Sequence, residues 1–311
     1  MKLARENEEY SEAMQQTNYQ DKMNSNPVEG SFRSVCMDMI HSEEELRHGL
    51  QHLLREGLEE HETMTLYRNV RSKYARNEQE KNEVKNKLRG VEHFRTIEDG
   101  MLAAYRSSVC ESGPMRHCSA LYVNINPRNV MGGLKLTYSN FLRWVEYKAG
   151  LTAVPVKDAN KEDYAGRLDK EFNMNVLKTQ SKRRFDMIDV DDKDPDTWLR
   201  RICEAIDGGG AASDGEVNAN GNDAIELILE TKNGYHVIYK PRNMTEQSHR
   251  ALHEVLSDEN AGEGSERKVL KVPGGSVSCA LPGGYQSDHK TRIYYCSCQK
   301  EGEKGGTKTF R

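Results

Sequence analysis

The stretch Ala224-Ile225-Glu226-Leu227-Ile228-Leu229-Glu230-Thr231-Lys232-Asn233-Gly234-Tyr235-His236-Val237-Ile238-Tyr239 reads as two strands around a tight turn. Ala224 to Thr231 forms the first strand and Tyr235 to Tyr239 the second. Asn-Gly is the strongest short hairpin signal, because a two-residue turn of the favoured hand needs positive φ at both central positions. With that turn, Lys232 pairs with Tyr235 and Thr231 with His236, and His236 shares a face with Ile238. Upstream, Arg184 to Asp191 is another strand, and side chains alternate along it. Asp189 and Asp191 therefore project from one face.

Helices are interleaved with these strands. Thr197 to Ile206 carries Trp198, Ile202 and Ile206 on one side, and Asn243-Met-Thr-Glu246 opens a helix to about Leu256. Ser119 to Asn126 alternates as a strand, and Pro127 ends it because proline cannot donate to a ladder. Leu134 to Ala149 is helical, with Leu134, Tyr138, Phe141, Leu142 and Val145 on one face, and Tyr164, Leu168 and Phe172 mark a further helix. Short strands are expected at Lys268–Val272, Ser276–Leu281 and Thr291–Tyr295. This order predicts an α+β fold over residues 117–298. Its architecture would be RRM-like or ferredoxin-like, with helices on a mixed, largely antiparallel sheet.

N-terminal to it, Ser42-Glu43-Glu44-Glu45 is a capping box. Leu46, Leu50, Leu53, Leu54 and Leu58 then recur at helical spacing to about His61, and Tyr67 to Ala75 extends the pattern. Asn77 to Lys87 is a solvated loop or helix face, so residues 31–116 are expected to be a helical region. Residues 1–30, the insertions 208–223 and 257–267, and the tail 299–311 have too few apolar residues to offset ordering entropy.

The composition agrees with that partition. The 311 residues are 36% hydrophobic and 30% charged, with a mean hydropathy of −0.85. A uniform globular body runs at about 45–50% apolar. Lys plus Arg is 45 and Asp plus Glu is 49, a net charge of −4. That excludes nucleic-acid binding by bulk charge and leaves only a local basic groove. No run of about 18 apolar residues exists, so no membrane span or membrane partner is expected. The start of the chain lacks a secretory pattern, and the seven cysteines are scattered. An intracellular, soluble protein with reduced thiols is expected.

Two carboxylates at i and i+2 on a strand suit Mg²⁺ or Mn²⁺, hard cations that take oxygen ligands. Mg²⁺ commonly uses one or two carboxylates plus substrate phosphates. The plainer reading of Asp189 and Asp191 is an acidic turn opening a helix. His236 reads either as a core histidine or as a contact to a phosphate, with Lys232 adding charge at the turn. Arg128, after a strand end, suits a bidentate triphosphate clamp or a surface turn. Lys182-Arg183-Arg184 and Lys240-Pro241-Arg242 would track a nucleic-acid backbone, or form solvated faces. Leu281-Pro282-Gly283-Gly284 is a turn that admits close backbone approach. Cys279, His289, Cys296 and Cys298 are a possible zinc set, although C-x-C is not the usual spacing. Cys110, His117 and Cys118 read equally well as buried thiols and a nearby histidine.

Together, the Asp189-x-Asp191 strand, the Asp194-Pro195 step into a helix, and the later Gly234-Tyr235-His236 strand resemble the archaeo-eukaryotic primase superfamily. The likeness is strongest to the polymerase domain of bacterial end-joining ligases, and it covers about Ser119 to Tyr295. It implies a nucleotidyltransferase acting on a nucleic-acid template with a nucleoside triphosphate and Mg²⁺ or Mn²⁺. Asp189 and Asp191 would hold metal, and His236 would hold the triphosphate with Arg128 or Lys232. The family's third motif, a hydrophobic residue then Asp on a strand, has Asp258 and Asp288 as candidates, with Asp192 or Glu230 as geometric substitutes. Two other readings use the same residues: a non-catalytic or degenerate RRM-like nucleotide- or nucleic-acid-binding module, and a metal-dependent nuclease. The sequence names no protein partner.

Overall fold

The structure is a computed structural model that describes residues 39–84, 87–108, 117–152, 167–207, 224–261, 269–272 and 277–296. The segments 1–30, 208–223 and 299–311, with most of 257–267, lie outside the described residues. In chain order the elements begin with α1 (Glu43–Leu54), β1 (Glu62–Val70), α2 (Glu78–Glu83), β2 (Lys87–Phe94) and α3 (Ile97–Ser108). They continue with β3 (Ser119–Asn124), β4 (Arg128–Asn129), α4 (Val130–Lys148), α5 (Leu168–Lys178), β5 (Asp186–Val190) and α6 (Arg200–Ile206). Then come β6 (Ile225–Glu230), β7 (Tyr235–Tyr239), α7 (Glu246–Ala261), β8 (Leu270–Lys271) and β9 (Ser278–Ala280). The last are β10 (Tyr285–Gln286), β11 (His289–Lys290) and β12 (Arg292–Cys296).

The fold is α+β, with the strands in two sheets. The first runs β11-β10-β3-β1-β2, with β4 added to β1 and β9 to β3; the second runs β12-β6-β7-β5-β8. Every strand pairing among the described residues is antiparallel. One apolar core joins them. Leu46, Leu50 and Leu53 of α1 meet Met64 and Leu66 of β1, Leu121 and Val123 of β3, and Met187, Leu227 and Ile238 of the second sheet. Ser42 accepts a hydrogen bond from the Glu45 N–H at 3.2 Å, so the capping box sets the start of α1. Burying each of its leucines contributes about 1.5–3 kcal/mol. On the opposite face of the second sheet, Ile188, Val190 and Val237 pack under Ile202 and Ile206 of α6 and Leu252 of α7.

Several expectations change. The helix stops at Leu54, and Tyr67 belongs to strand β1, whose Met64 and Leu66 face the core while Thr63, Thr65 and Tyr67 alternate with them. Region 31–116 thus supplies two strands as well as helices, and β1 pairs with β3 across the expected boundary at 117. Helix α7 runs to Ala261, into the tract expected as an insertion. The apolar stripe of α4 is turned outward, with Leu134, Tyr138, Leu142 and Val145 exposed. The buried side is instead the small-residue side. A Cβ on Gly133 would lie 2.4 Å from Val176 of α5, and Thr137 accepts from Asn175 at 3.0 Å. Close helix approach wins over stripe burial there.

The hairpin forms with a different register. Glu230 pairs with Tyr235 and Leu229 with His236, leaving Thr231-Lys232-Asn233-Gly234 as the loop. The Thr231 N–H and hydroxyl both donate to the Gly234 carbonyl, at 2.7 and 3.1 Å, which closes the longer turn. The slide is an even number of residues, so the residue opposite His236 changes from Thr231 to Leu229 without changing face. Gly234 is required by contact: a Cβ there would lie 1.9 Å from the Val190 carbonyl oxygen and 2.6 Å from that of Asp192. Backbone cannot yield as a side chain can. Gly234→Ala is therefore expected to cost about 1–3 kcal/mol or more, read as a lower urea midpoint; an unchanged midpoint would contradict this packing.

Candidate functional site

On the inner face of the second sheet the apolar pair Met187–Ile238 is followed, two residues along, by Asp189–His236. These two are directly opposed across β5 and β7, and His236 Nε2 lies 3.5 Å from Asp189 Oδ1. Asp191 follows on the same face, its backbone N–H donating to the Val269 carbonyl at 2.8 Å. His236 is buried, and its Nδ1 accepts a hydrogen bond from the Ala280 N–H of β9 at 3.2 Å. A nitrogen that accepts cannot also carry a proton, so Nε2 is the protonated nitrogen of the neutral ring. Burial pushes its pKa down, against the pull of the Asp189 and Asp191 carboxylates. Neutral His236 thus presents an N–H toward Asp189 and is a donor to anionic oxygen, not a metal ligand.

Cations face the two carboxylates from both sheets. Lys271 of β8 sits in register with Asp189, and its ammonium is paired with Asp191. Lys73, just after β1, interacts electrostatically with Asp189 and Asp191. Burial lowers its pKa first, and the neighbouring Arg71 guanidinium lowers it further. Arg71 donates to the Tyr122 hydroxyl at 3.1 Å. Two carboxylates and an imidazole donor beside two ammonium groups suit a ligand that carries both a divalent cation and phosphate oxygens.

The acidic-turn reading holds for the neighbours. Asp192 accepts from the Asp194 N–H at 3.0 Å and the Thr197 hydroxyl at 2.5 Å, and Asp194 accepts from the Asp196 N–H at 3.0 Å. They build the turn into α6, whereas Asp189 lies within the strand. The third-motif candidates are engaged elsewhere: Asp258 of α7 pairs with Arg201 and Asp288 with Lys232. The short strand that follows α7 and lies against β5 carries Leu270-Lys271, with Lys271 opposite Asp189. Glu230 ends β6 opposite Tyr235, not opposite Asp189.

The basic candidates divide. Lys232 donates to Asp288 at 2.7 Å and Ser287 at 3.1 Å and lies over the Tyr74 ring. Arg128 is 1% exposed, beside the Tyr67 hydroxyl, and burial lowers its pKa. Its three guanidinium nitrogens are buried and have no hydrogen-bond partner among the described residues. Arg184 is buried too, donating to Glu62 and to the Gly57 carbonyl. Arg183 pairs with Asp186, Lys240 with Glu226 and Glu56, and Arg242 with Glu56. Lys182 alone of this set is exposed with no ion pair among the described residues. Arg184 and Lys240 are buried against carboxylates of the fold, whereas Arg183 and Arg242, though paired, stay more than half exposed.

Among the described residues, no metal-ligand cluster includes Cys279 or His289 of the zinc set. Cys279 is buried in the core that joins the sheets, its thiol pushed up to about 12 by burial, while His289 lies on β11. Cys296 ends β12, and Cys298 and Cys110 lie outside the described residues. Among the described residues, possible ligands gather at Glu80, His117 and Cys118, where His117 Nε2 is 2.8 Å from Glu80. Gly283 of the turn at 281–284 accepts from the His41 N–H at 2.7 Å and so anchors the start of α1.

Sequence reading missed Lys73, Lys271 and Asn126. Asn126 clamps the approach to β5: its amide donates to the Phe185 carbonyl at 2.8 Å and accepts from the N–H groups of Arg184 and Phe185 at 2.7 and 2.9 Å. Asn126→Ala leaves three buried backbone groups unpaired, at about 1–3 kcal/mol each before relaxation. A urea midpoint lowered by at least about 1 kcal/mol is expected; no shift would mean that water replaces the amide. No family model, curated protein or solved structure matches the chain.

Proposed function

We propose that the protein is a primase–polymerase-like nucleotidyltransferase, which binds a nucleoside triphosphate and a nucleic-acid strand and works with Mg²⁺ or Mn²⁺. The observation that carries this reading is the cross-strand Asp189–His236 pair with Asp191 on the same face. Asp189, 29% exposed, offers carboxylate oxygen to a hard cation. When bound, a divalent cation supplies Lewis-acid polarisation and charge neutralisation at the phosphates. His236 donates its Nε2 proton as a hydrogen bond to a phosphate oxygen. The Ala280 N–H fixes the tautomer that makes this possible. Lys73 and Lys271 add positive charge on either side. A second reading, a binding module without catalysis, is favoured by the Lys271–Asp191 pair, which already satisfies one carboxylate.

The test is incubation of the full chain with labelled nucleoside triphosphate and Mn²⁺ on primed and unprimed strands. Incorporation with matching release of pyrophosphate is expected. Shortening of strand ends would identify a nuclease. Strand binding that survives EDTA, with neither reaction, would identify the binding module.

A further inference from the structure

Arg128 is the largest of the fully buried side chains among the described residues. A guanidinium is always charged and offers five N–H donors in a planar fork. Here Nε, Nη1 and Nη2 are all buried without a hydrogen-bond partner among the described residues. No carboxylate among them acts on this charge; the titratable group beside it is the Tyr67 hydroxyl. Glu62, next to Thr63 on β1, is held by Arg184 and Ser181 instead. Nor can the backbone swing Arg128 out to water, because it pairs with Thr63 of β1 and bridges to Gln180.

The surroundings add donors, not acceptors. Opposed residues share a face, so Arg128 lies with Thr63, Thr65 and Tyr67 on the side of the first sheet turned away from the joining core. Asn124 ends β3 on that side, opposite Ser278. Its Oδ1 accepts from the Ser278 hydroxyl, while its buried Nδ2 has no partner among the described residues. Ser278 is also hydrogen-bonded to Tyr67, the neighbour of Arg128. Tyr67 and Ser278 are half-buried and give the cluster an edge toward solvent. Asp189 and His236 lie elsewhere, on the inner face of the second sheet. A buried charge is ordinarily paired, since leaving it alone opposes folding strongly.

We propose that Arg128 and Asn124, with Tyr67 and Ser278 at the rim, bind a phosphate group at a site separate from the Asp189–His236 face. The guanidinium fork matches two phosphate oxygens, and the Asn124 amide donates to a third. The bound phosphate is the counter-ion that the fold itself does not supply. Free phosphate and a phosphate ester share this chemistry. The site does not depend on the nucleotidyl-transfer reading.

Thermal unfolding and calorimetric titration of the full chain with inorganic phosphate, at constant ionic strength, test this. Wild type is expected to bind one phosphate and to melt higher as phosphate rises, because a ligand of the folded state stabilises it. Arg128→Met keeps an apolar stem without the charge and should lose both effects. Asn124→Asp keeps the acceptor for Ser278 and places a carboxylate in the cluster as a built-in counter-ion. It should also lose the response to phosphate, and it serves if Arg128→Met fails to fold. A nucleoside triphosphate added to Asp189→Ala separates the sources: protection by it and not by inorganic phosphate identifies a phosphate ester, and protection by inorganic phosphate identifies the free ion. Either result, if lost with Arg128→Met, supports the site. A response that persists in folded Arg128→Met or Asn124→Asp, or no response to either compound, would overturn it and leave the Asp189–His236 reading standing.

Discussion

Glu226→Ala is expected to destabilise the protein by about 3–5 kcal/mol, the cost of removing one partner from a buried ion pair. Glu226 is 1% exposed and lies where the β6–β7 register shifts. One carboxylate oxygen is 2.9 Å from His52 Nδ1 of α1, and the other is 2.5 Å from the Lys240 ammonium. Alanine would strand that ammonium near the Phe185 ring, with only Glu56 at 3.6 Å in compensation. Urea unfolding should show a much lower midpoint with an unchanged slope. The pH dependence follows from the same contacts. Burial raises the Glu226 carboxyl, but hydrogen bonds from His52 and Lys240 outweigh it and hold the pKa below the ordinary 4.5. A depressed carboxylate contributes stability above its unfolded pKa and loses it as pH falls through the folded value. The stability gap between wild type and Glu226→Gln should therefore be full near pH 7 and shrink below pH 4.5. A gap independent of pH would contradict an ionised Glu226.

His236→Gln is the second large effect, on catalysis. The imidazole is held by the Ala280 N–H on one side and faces Asp189 on the other. Gln keeps a donor but loses the ring that fixes its direction. Loss of one oriented donor to a developing anion costs about 10²–10³ in rate. Nucleotide incorporation should fall by that order while Asp189-dependent Mn²⁺ binding persists, because His236 is assigned to the phosphate and not to the metal. Equal incorporation in His236→Gln and wild type would return His236 to a purely structural role.

Much of the fold is legible in the sequence because alternation and capping are local properties. The β5 and β7 strands are short apolar runs bounded by turn residues, and Ser42 caps Glu45 as its spacing requires. The turn is longer than Asn-Gly alone implies, and the slip of two residues exchanges Thr231 for Leu229 opposite His236. β1 is obscured because it follows a leucine-rich helix, and Tyr67 to Ala75 reads as an extension of that helical pattern. The basic runs misled for a different reason. Arg184 finds Glu62, 122 positions away, and Lys240 finds Glu226 and Glu56. A charge run looks the same in sequence whether it faces solvent or a buried carboxylate. Lys271 had no signal at all, since only the register of a two-residue strand makes it a neighbour of Asp189.

The central claim is that the Asp189–Asp191–His236 face performs nucleotidyl transfer. Strand extension from α-labelled nucleoside triphosphate with Mn²⁺, comparing wild type with Asp189→Ala at matched thermal stability, tests it most directly. Wild type should extend the strand one nucleotide at a time, and Asp189→Ala should show none. Equal extension by both, or none by wild type on primed and unprimed strands alike, would contradict it.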